Sequence, residues 1–184
     1  MNTTRRILGE ARKVRPPTKM ELTDPHDAYF YAEEKLRMSR FPEGEAAIAK
    51  DPYWSYHYAR NIIKGRWPEA EPVIATYPRE AYNYARNIIE GPFPEGEASM
   101  ATDPYCAYKY AMDVIKRRFP EGEAAIARLP EYAYKYATDV LKGRFPEAEE
   151  AMAKDPEYSK KYLEAFHDAK IEWYAREWID WTYL

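Results

Sequence analysis

The chain of 184 residues carries a single cysteine, Cys106, so no internal disulfide can form. A reducing compartment is the natural expectation, and the cytoplasm (a host cytoplasm if the source is viral) is the expected location. Histidine is equally scarce: His26, His57 and His167 lie far apart, with no His-x-x-x-His or Cys-x-x-Cys pairing. Metal is therefore not expected. The seven glycines form no phosphate-cradling loop, and no cofactor is expected. No stretch approaches the roughly 18 apolar residues that a membrane helix needs. The N-terminus is charged but lacks an apolar segment behind those charges, which argues against a secretory signal.

What is abundant is tyrosine and proline, with 18 Tyr and 15 Pro, and both follow from an internal repeat. A 26-residue unit recurs without a gap as Asp51–Thr76, Tyr77–Thr102, Asp103–Arg128 and Leu129–Lys154. Asp24–Lys50 is the same unit with one extra residue, and the stretch from Asp155 onward starts as a sixth and then departs. A period of this size implies stacked units, each burying its apolar face against its neighbours. The organisation expected is a basic arm over 1–20, a repeat array over 21–154 and an aromatic-rich cap over 155–184.

Asp51–Thr76 shows the local logic. Asp51 is a good N-cap, and Pro52 suits the first helical position, where its missing amide has no partner to lose. The helix is expected to run from Tyr53 to about Lys64, with Gly65 ending it in the left-handed conformation. At about 100° per residue, Ser55, Tyr56, Tyr58, Ala59, Ile62 and Ile63 share one arc. Tyr53, His57, Arg60, Asn61 and Lys64 share the other. Trp67 precedes a proline and must leave the α region. Pro72 would interrupt a helix begun at Pro68, and Gly44, Gly96 and Gly122 at the Ala70 position also suggest a turn. The second half is thus expected to be a turn and a short α or 3₁₀ helix, making the fold an all-α solenoid of five to six helix–turn–short-helix units with a longer C-terminal capping helix.

The runs Ile48-Ala49-Lys50-Asp51-Pro52, Met100-Ala101-Thr102-Asp103-Pro104 and Met152-Ala153-Lys154-Asp155-Pro156, the first two followed by a helix and a [FW]-P-E segment, carry a resemblance. The pattern resembles leucine-rich variant repeats, which alternate α and 3₁₀ helices. It departs from them in its 26-residue length and in placing Tyr where they carry aliphatic residues. The Tyr-Ala-Arg-Asn-Ile-Ile and Arg-Trp-Pro-Glu-Ala-Glu text is also similar to tandem repeats of uncharacterised tailed-phage proteins. That resemblance covers residues 24–158 and implies an architecture and a viral source, without a defined activity.

Three ladders run along the units. Asn61, Asn87, Asp113 and Asp139 form one; Arg40, Arg66, Arg118 and Arg144, broken by Pro92, form another; Glu43, Glu69, Glu95, Glu121 and Glu147, each with a second Glu two residues on, form the third. Each has a structural reading, as contacts that hold units together, and a functional one, as a periodic binding face. Positions that differ between units suit one specific partner better. Trp54, Glu80, Cys106, Tyr132 and Tyr158 are equivalent, as are His57, Asn83, Lys109 and Lys135. Cys106 shares a position with Trp54 and Tyr132, and the Glu residues are periodic, so an enzyme is not expected.

Charge is uneven. Residues 1–20 carry Arg5, Arg6, Arg12, Lys13, Arg15 and Lys19 against Glu10, and with a net charge of −3 overall the remainder is −8. In the C-terminal segment Tyr162, Leu163, Phe166, Trp173, Tyr174, Trp178 and Trp181 recur at helical spacing, as one long amphipathic helix or two with a bend. That segment caps the array, and its surplus aromatic surface also suits a homo-oligomer. The first functional expectation is a non-enzymatic protein binder, as a phage accessory protein that sequesters or inhibits a host factor. It would use Arg5, Arg6, Arg12, Lys13, Arg15, Trp54, His57, Arg66, Lys109, Arg118, Tyr132, Arg144, Trp173, Trp178 and Trp181. The alternatives are a nucleic-acid binder using the basic arm with the Arg and Tyr ladders, which the acidic body disfavours, and a self-assembling structural protein.

Overall fold

The computed structural model describes residues 14–167 and residue 169. Among them every regular element is helical. The α-helices are α1 (Pro25–Phe30), α2 (Pro42–Ile48), α3 (Pro52–Tyr58), α4 (Glu71–Ile74), α5 (Pro78–Tyr84), α6 (Pro94–Met100), α7 (Pro104–Lys109), α8 (Pro120–Ile126), α9 (Pro130–Lys135), α10 (Pro146–Ala153) and α11 (Pro156–Ala165). Contacts run in succession: α3 packs on α1 and α5, α5 on α7, α7 on α9, and α9 on α11. The shorter helices form a second row, with α4 against α6 and α6 against α8. None of the helices among the described residues is long and apolar enough to cross a membrane.

The N-termini form as the sequence dictates. Asp24, Asp51, Asp103 and Asp155 are extended residues whose carboxylates accept backbone N–H bonds from the first turn, each ahead of a proline. Tyr77 and Leu129 occupy the same position with no side-chain cap. The facing holds at most positions: Ser55, Tyr56, Tyr58, Ala59 and Ile62 are buried, Ile63 is half-buried, and Tyr53, Arg60 and Lys64 are exposed, while His57 and Asn61 of the outward arc are half-buried.

The end of the long helix differs from expectation. From α1, α3, α5, α7 and α9 the chain passes without a break into π-helix, at Tyr31–Lys35, Ala59–Ile63, Ala85–Ile89, Tyr110–Ile115 and Tyr136–Leu141. Single π turns often mark functional sites. Here the turn recurs in each of these units, which makes it part of the repeat's architecture. The left-handed residue that ends it is Lys64, Glu90, Lys116 or Lys142, and no glycine among the described residues has positive φ. Gly65 comes one step later, where its N–H joins that of Lys64 on the Ala59 carbonyl. The wider π turn brings both amides to one acceptor, and the reversal falls on Lys64 rather than on Gly65. The extra residue of the first unit is absorbed in this loop, where Arg37 and Met38 both take positive φ.

The second half is a two-turn α-helix in most units, with Phe41, Phe93, Phe119 and Phe145 as extended-side N-caps before Pro. Pro72 has its expected effect only in its own unit, where α4 is delayed to Glu71. Gly44, Gly96 and Gly122 lie inside helices rather than in turns, as the third residues of α2, α6 and α8. They are buried under the phenyl ring three residues earlier, so close that a Cβ on Gly96 would lie 2.7 Å from Phe93 and 2.9 Å from the Ala81 methyl. Close approach of the two helix rows is what a small residue provides here.

The core is a stack of equivalent rings. Tyr58, Tyr84, Tyr110, Tyr136 and Tyr162 are fully buried, and each packs on the aromatic that follows it: Trp67, Phe93, Phe119, Phe145 and Phe166. Burying such a side chain contributes about 1.5–3 kcal/mol. The last pair reveals the C-terminal departure. α11 stops at Ala165, and Phe166 adopts φ −133° and ψ 82°, close to the φ −123° and ψ 79° of Phe145. The Ala169 N–H then bonds the Phe166 carbonyl, as Ala148 bonds Phe145. α11 is therefore followed directly by an aromatic residue in the backbone conformation of Phe145, with no π turn or loop between them. One unbroken helix from Pro156 to about Trp181 is not what forms, since α11 ends at Ala165; the residues from Lys170 onward lie outside the described residues.

Candidate partner-binding surface

The buried tyrosine hydroxyls organise each unit's polar groups. The Tyr84 hydroxyl accepts the Trp67 N–H at 2.7 Å and donates to Glu71 at 2.9 Å. The Arg66 guanidinium grips the same carboxylate through two bonds of 2.8 Å. Arg40–Glu45, Arg118–Glu123 and Arg144–Glu149 repeat this fork. Hydrogen bonds from Arg66 and Arg118 hold the Glu71 and Glu123 carboxyls below the ordinary carboxylate value, against the opposing effect of burial. The proposed Arg ladder of Arg66, Arg118 and Arg144 is thus committed to ion pairs within units. In these four units the partner is the second Glu of the pair rather than the first.

The Asn/Asp ladder joins successive units. Asn61 donates to the Tyr29 hydroxyl and Asn87 to that of Tyr56, both at 2.9 Å. Where Asp replaces Asn the bond reverses: Tyr82 donates to Asp113 and Tyr108 to Asp139, both at 2.6 Å. A phenol both donates and accepts, so one geometry serves both residues. Lys109 belongs to this network through Asp113, at 2.8 Å.

The remaining predicted residues scatter. Arg15 pairs with Glu21 and lies 5.4 Å from the centre of the Tyr31 ring, and the Tyr31 hydroxyl donates to the Arg15 carbonyl. Its guanidinium lowers the Glu21 carboxyl to about 2. Trp54 sits in an aromatic cluster with His26, Tyr29 and Phe30 of the preceding unit, and His57 lies 4.3 Å from Tyr53 between ring centres. Tyr132 packs on Tyr105 and Tyr108. Arg5, Arg6, Arg12, Lys13, Trp173, Trp178 and Trp181 lie outside the described residues. Among the described residues, the predicted ones are not gathered into one site.

Two features were not anticipated. Asp24, His26 and Asp27 bring ligand atoms within 4.8 Å of one another, but the Asp24 cap and the His26–Asp27 bond of 2.9 Å account for the cluster. The second is a groove of about 830 Å³ across the starts of α3, α5 and α7. Tyr53, Tyr77 and Tyr105 wall it and are 48%, 58% and 41% exposed. Glu80, only 6% exposed, lines it, and its Oε2 has no hydrogen-bond partner. Burial pushes this carboxyl above its ordinary value, opposed by a hydrogen bond from its own backbone amide and by Arg79, and reinforced by Asp51. The sequence signal is a carboxylate at a position held by Trp54, Cys106, Tyr132 and Tyr158 in the other units from Asp51 onward, although Asp27 of the first unit shares it.

No family model, curated protein or solved structure matches this chain.

Proposed function

We propose that this protein is an α-solenoid of five to six repeated units that binds a partner protein and performs no catalysis. The observation that carries this reading is the row of exposed side chains at the starts of successive long helices. Tyr53, Tyr77, Tyr105 and Leu129 stand 41–58% exposed along one edge, while the polar letters of the repeat are bound to one another. Tyrosine is enriched at binding hot spots because one rigid ring offers both apolar area and a hydroxyl. The resemblance to tailed-phage repeats is the ground for proposing an accessory protein that sequesters or inhibits a host factor. Affinity capture from host lysate tests this reading when the wild type is compared with a Tyr53→Ser/Tyr77→Ser/Tyr105→Ser variant. A stoichiometric partner lost from the variant is expected. Recovery of the same proteins by both would sink the proposal.

A further inference from the structure

The groove at the middle of the array has a chemistry more specific than an aromatic edge. Asp51, Glu80 and Asp103 line it against one cation, Arg79, leaving an excess of two negative charges. Asp51 and Asp103 each already accept a backbone N–H through Oδ1, at 3.0 and 2.8 Å. Glu80 differs, since its Oε2 is buried without a partner. A buried acceptor left unpaired is costly and is relieved by any donor that reaches it. Arg79 cannot easily serve as that donor, because neighbouring residues on a helix diverge by about 100°; Arg79 is exposed at the rim. The walls are tyrosine rings, whose faces attract cations. With helices spaced about 9 Å apart, three helix starts span about 18 Å, the length of about five extended residues.

We propose that this groove receives an arginine or lysine side chain from an extended segment of a partner protein, its cationic head flanked by Tyr53, Tyr77 and Tyr105 and bonded to Glu80, whose carboxyl turns its buried oxygen toward the groove to meet it. The inference rests on the protein-binding reading above and names the side-chain class recognised. An ionised donor to a carboxylate makes the strong form of hydrogen bond, and the excess negative charge selects a cation over a neutral donor.

The probe is the peptide acetyl-Gly-Gly-Arg-Gly-Gly-amide, titrated into the full chain and followed by amide NMR shifts of residues 79–81 and 105–106. Its control is the same peptide with citrulline, which keeps the shape and removes the charge. Saturable binding in the millimolar range is expected for arginine. Glu80→Gln should weaken it at least about fivefold, and citrulline should bind correspondingly less well. Arg79→Ala, which removes the competing cation from an exposed position, should tighten it. Equal binding of the two peptides, equal binding by Glu80→Gln with an unchanged helical spectrum, or weaker binding by Arg79→Ala would each overturn the proposal. If lysate capture retrieves a partner equally with wild type and Glu80→Gln, the groove assignment falls and the protein-binding reading stands. A failure to capture any partner bears on that reading alone, because the peptide measurement does not depend on it.

Discussion

Replacing Tyr84 by Phe isolates the bond that ties each long helix to the preceding unit. The ring stays and only one oxygen leaves, from a side chain with no exposure. Two bonds go with it, the one accepted from the Trp67 N–H and the one donated to Glu71. Trp67 is itself buried, so its amide is left without a partner at a cost of about 1–3 kcal/mol. The Glu71 carboxylate keeps both bonds from Arg66, so its loss is limited to about 1 kcal/mol. The expected destabilisation is therefore about 2–4 kcal/mol, measured by urea unfolding followed by circular dichroism. Because arrays can open unit by unit, exchange of the Trp67 amide should be read alongside, and it should accelerate more than amides of α9. Arg66→Ala is the companion variant. Its guanidinium is largely in solvent, and the chain already dispenses with it once: Pro92 stands at the Arg position, leaving Glu97 with only the Tyr110 hydroxyl, at 2.7 Å. Arg66→Ala should thus cost less than Tyr84→Phe. The reverse order, or a Tyr84→Phe cost below about 0.5 kcal/mol, would refute the assignment of the hydroxyl as the organising group.

Three further outcomes are expected. Glu71 and Glu123 titrate below 4.5 when folded, so their contribution is complete above that value and is lost as pH falls through the folded values. Helix signal and urea midpoint should decline from about pH 5 to about pH 3, and a flat profile there would contradict the carboxylate forks. Ala59→Arg places a charge at a site with no exposure and should cost more than about 3 kcal/mol, whereas His57→Arg, at a half-buried position, should cost less than about 1 kcal/mol; equal tolerance in urea titrations would mean the facing is wrong. Asn87→Asp should remain within about 0.5 kcal/mol of wild type, since the Tyr56 hydroxyl can reverse and donate as Tyr82 does to Asp113, while Asn87→Ala should cost about 1 kcal/mol. A large loss for Asp measured by thermal melting would show that the two bond directions are not interchangeable.

Much of the architecture could be read from local chemistry. Asp-Pro marks each helix start because the cap and the missing amide are effects of adjacent residues, and the buried arc follows from helical spacing. The π turn could not be read, because it shifts the register by one residue across Ala59–Ile63, too little for hydrophobic periodicity to distinguish. Gly65 was assigned the left-handed position by glycine's general preference, yet Arg117 occupies the same place in the fourth unit, which argues for an ordinary φ there. Gly44, Gly96 and Gly122 read as turn residues because nothing local says that a phenyl ring lies over them. The tyrosine hydroxyl bonds were hidden for a related reason. They link groups 17 residues apart, Tyr58 to Phe41 and Tyr84 to Trp67, and only the fold makes that spacing a contact. The groove is not legible in the sequence, because Glu80 reads as one more surface carboxylate until its burial is known.

The Tyr77–Thr102 unit departs from the others in a way that bears on function. Tyr77 replaces the capping Asp and makes no side-chain cap bond. Such a loss costs about 1 kcal/mol. Pro92 removes the arginine that would clamp Glu97, and Glu90 reverses the charge held at the left-handed position by Lys64, Lys116 and Lys142. Glu80 adds a buried carboxylate oxygen with no partner. Leu129 also forgoes the cap, but its unit keeps Lys142 and the Arg144–Glu149 fork. The Tyr77–Thr102 unit alone combines all four changes, and each either weakens the folded chain or leaves a group unsatisfied. In an array each unit is supported by two neighbours, so a central unit can tolerate such losses better than a terminal one. Stability conceded in one unit, at the place where a groove exposes three tyrosines and an unpaired acceptor, is what selection for binding would leave behind.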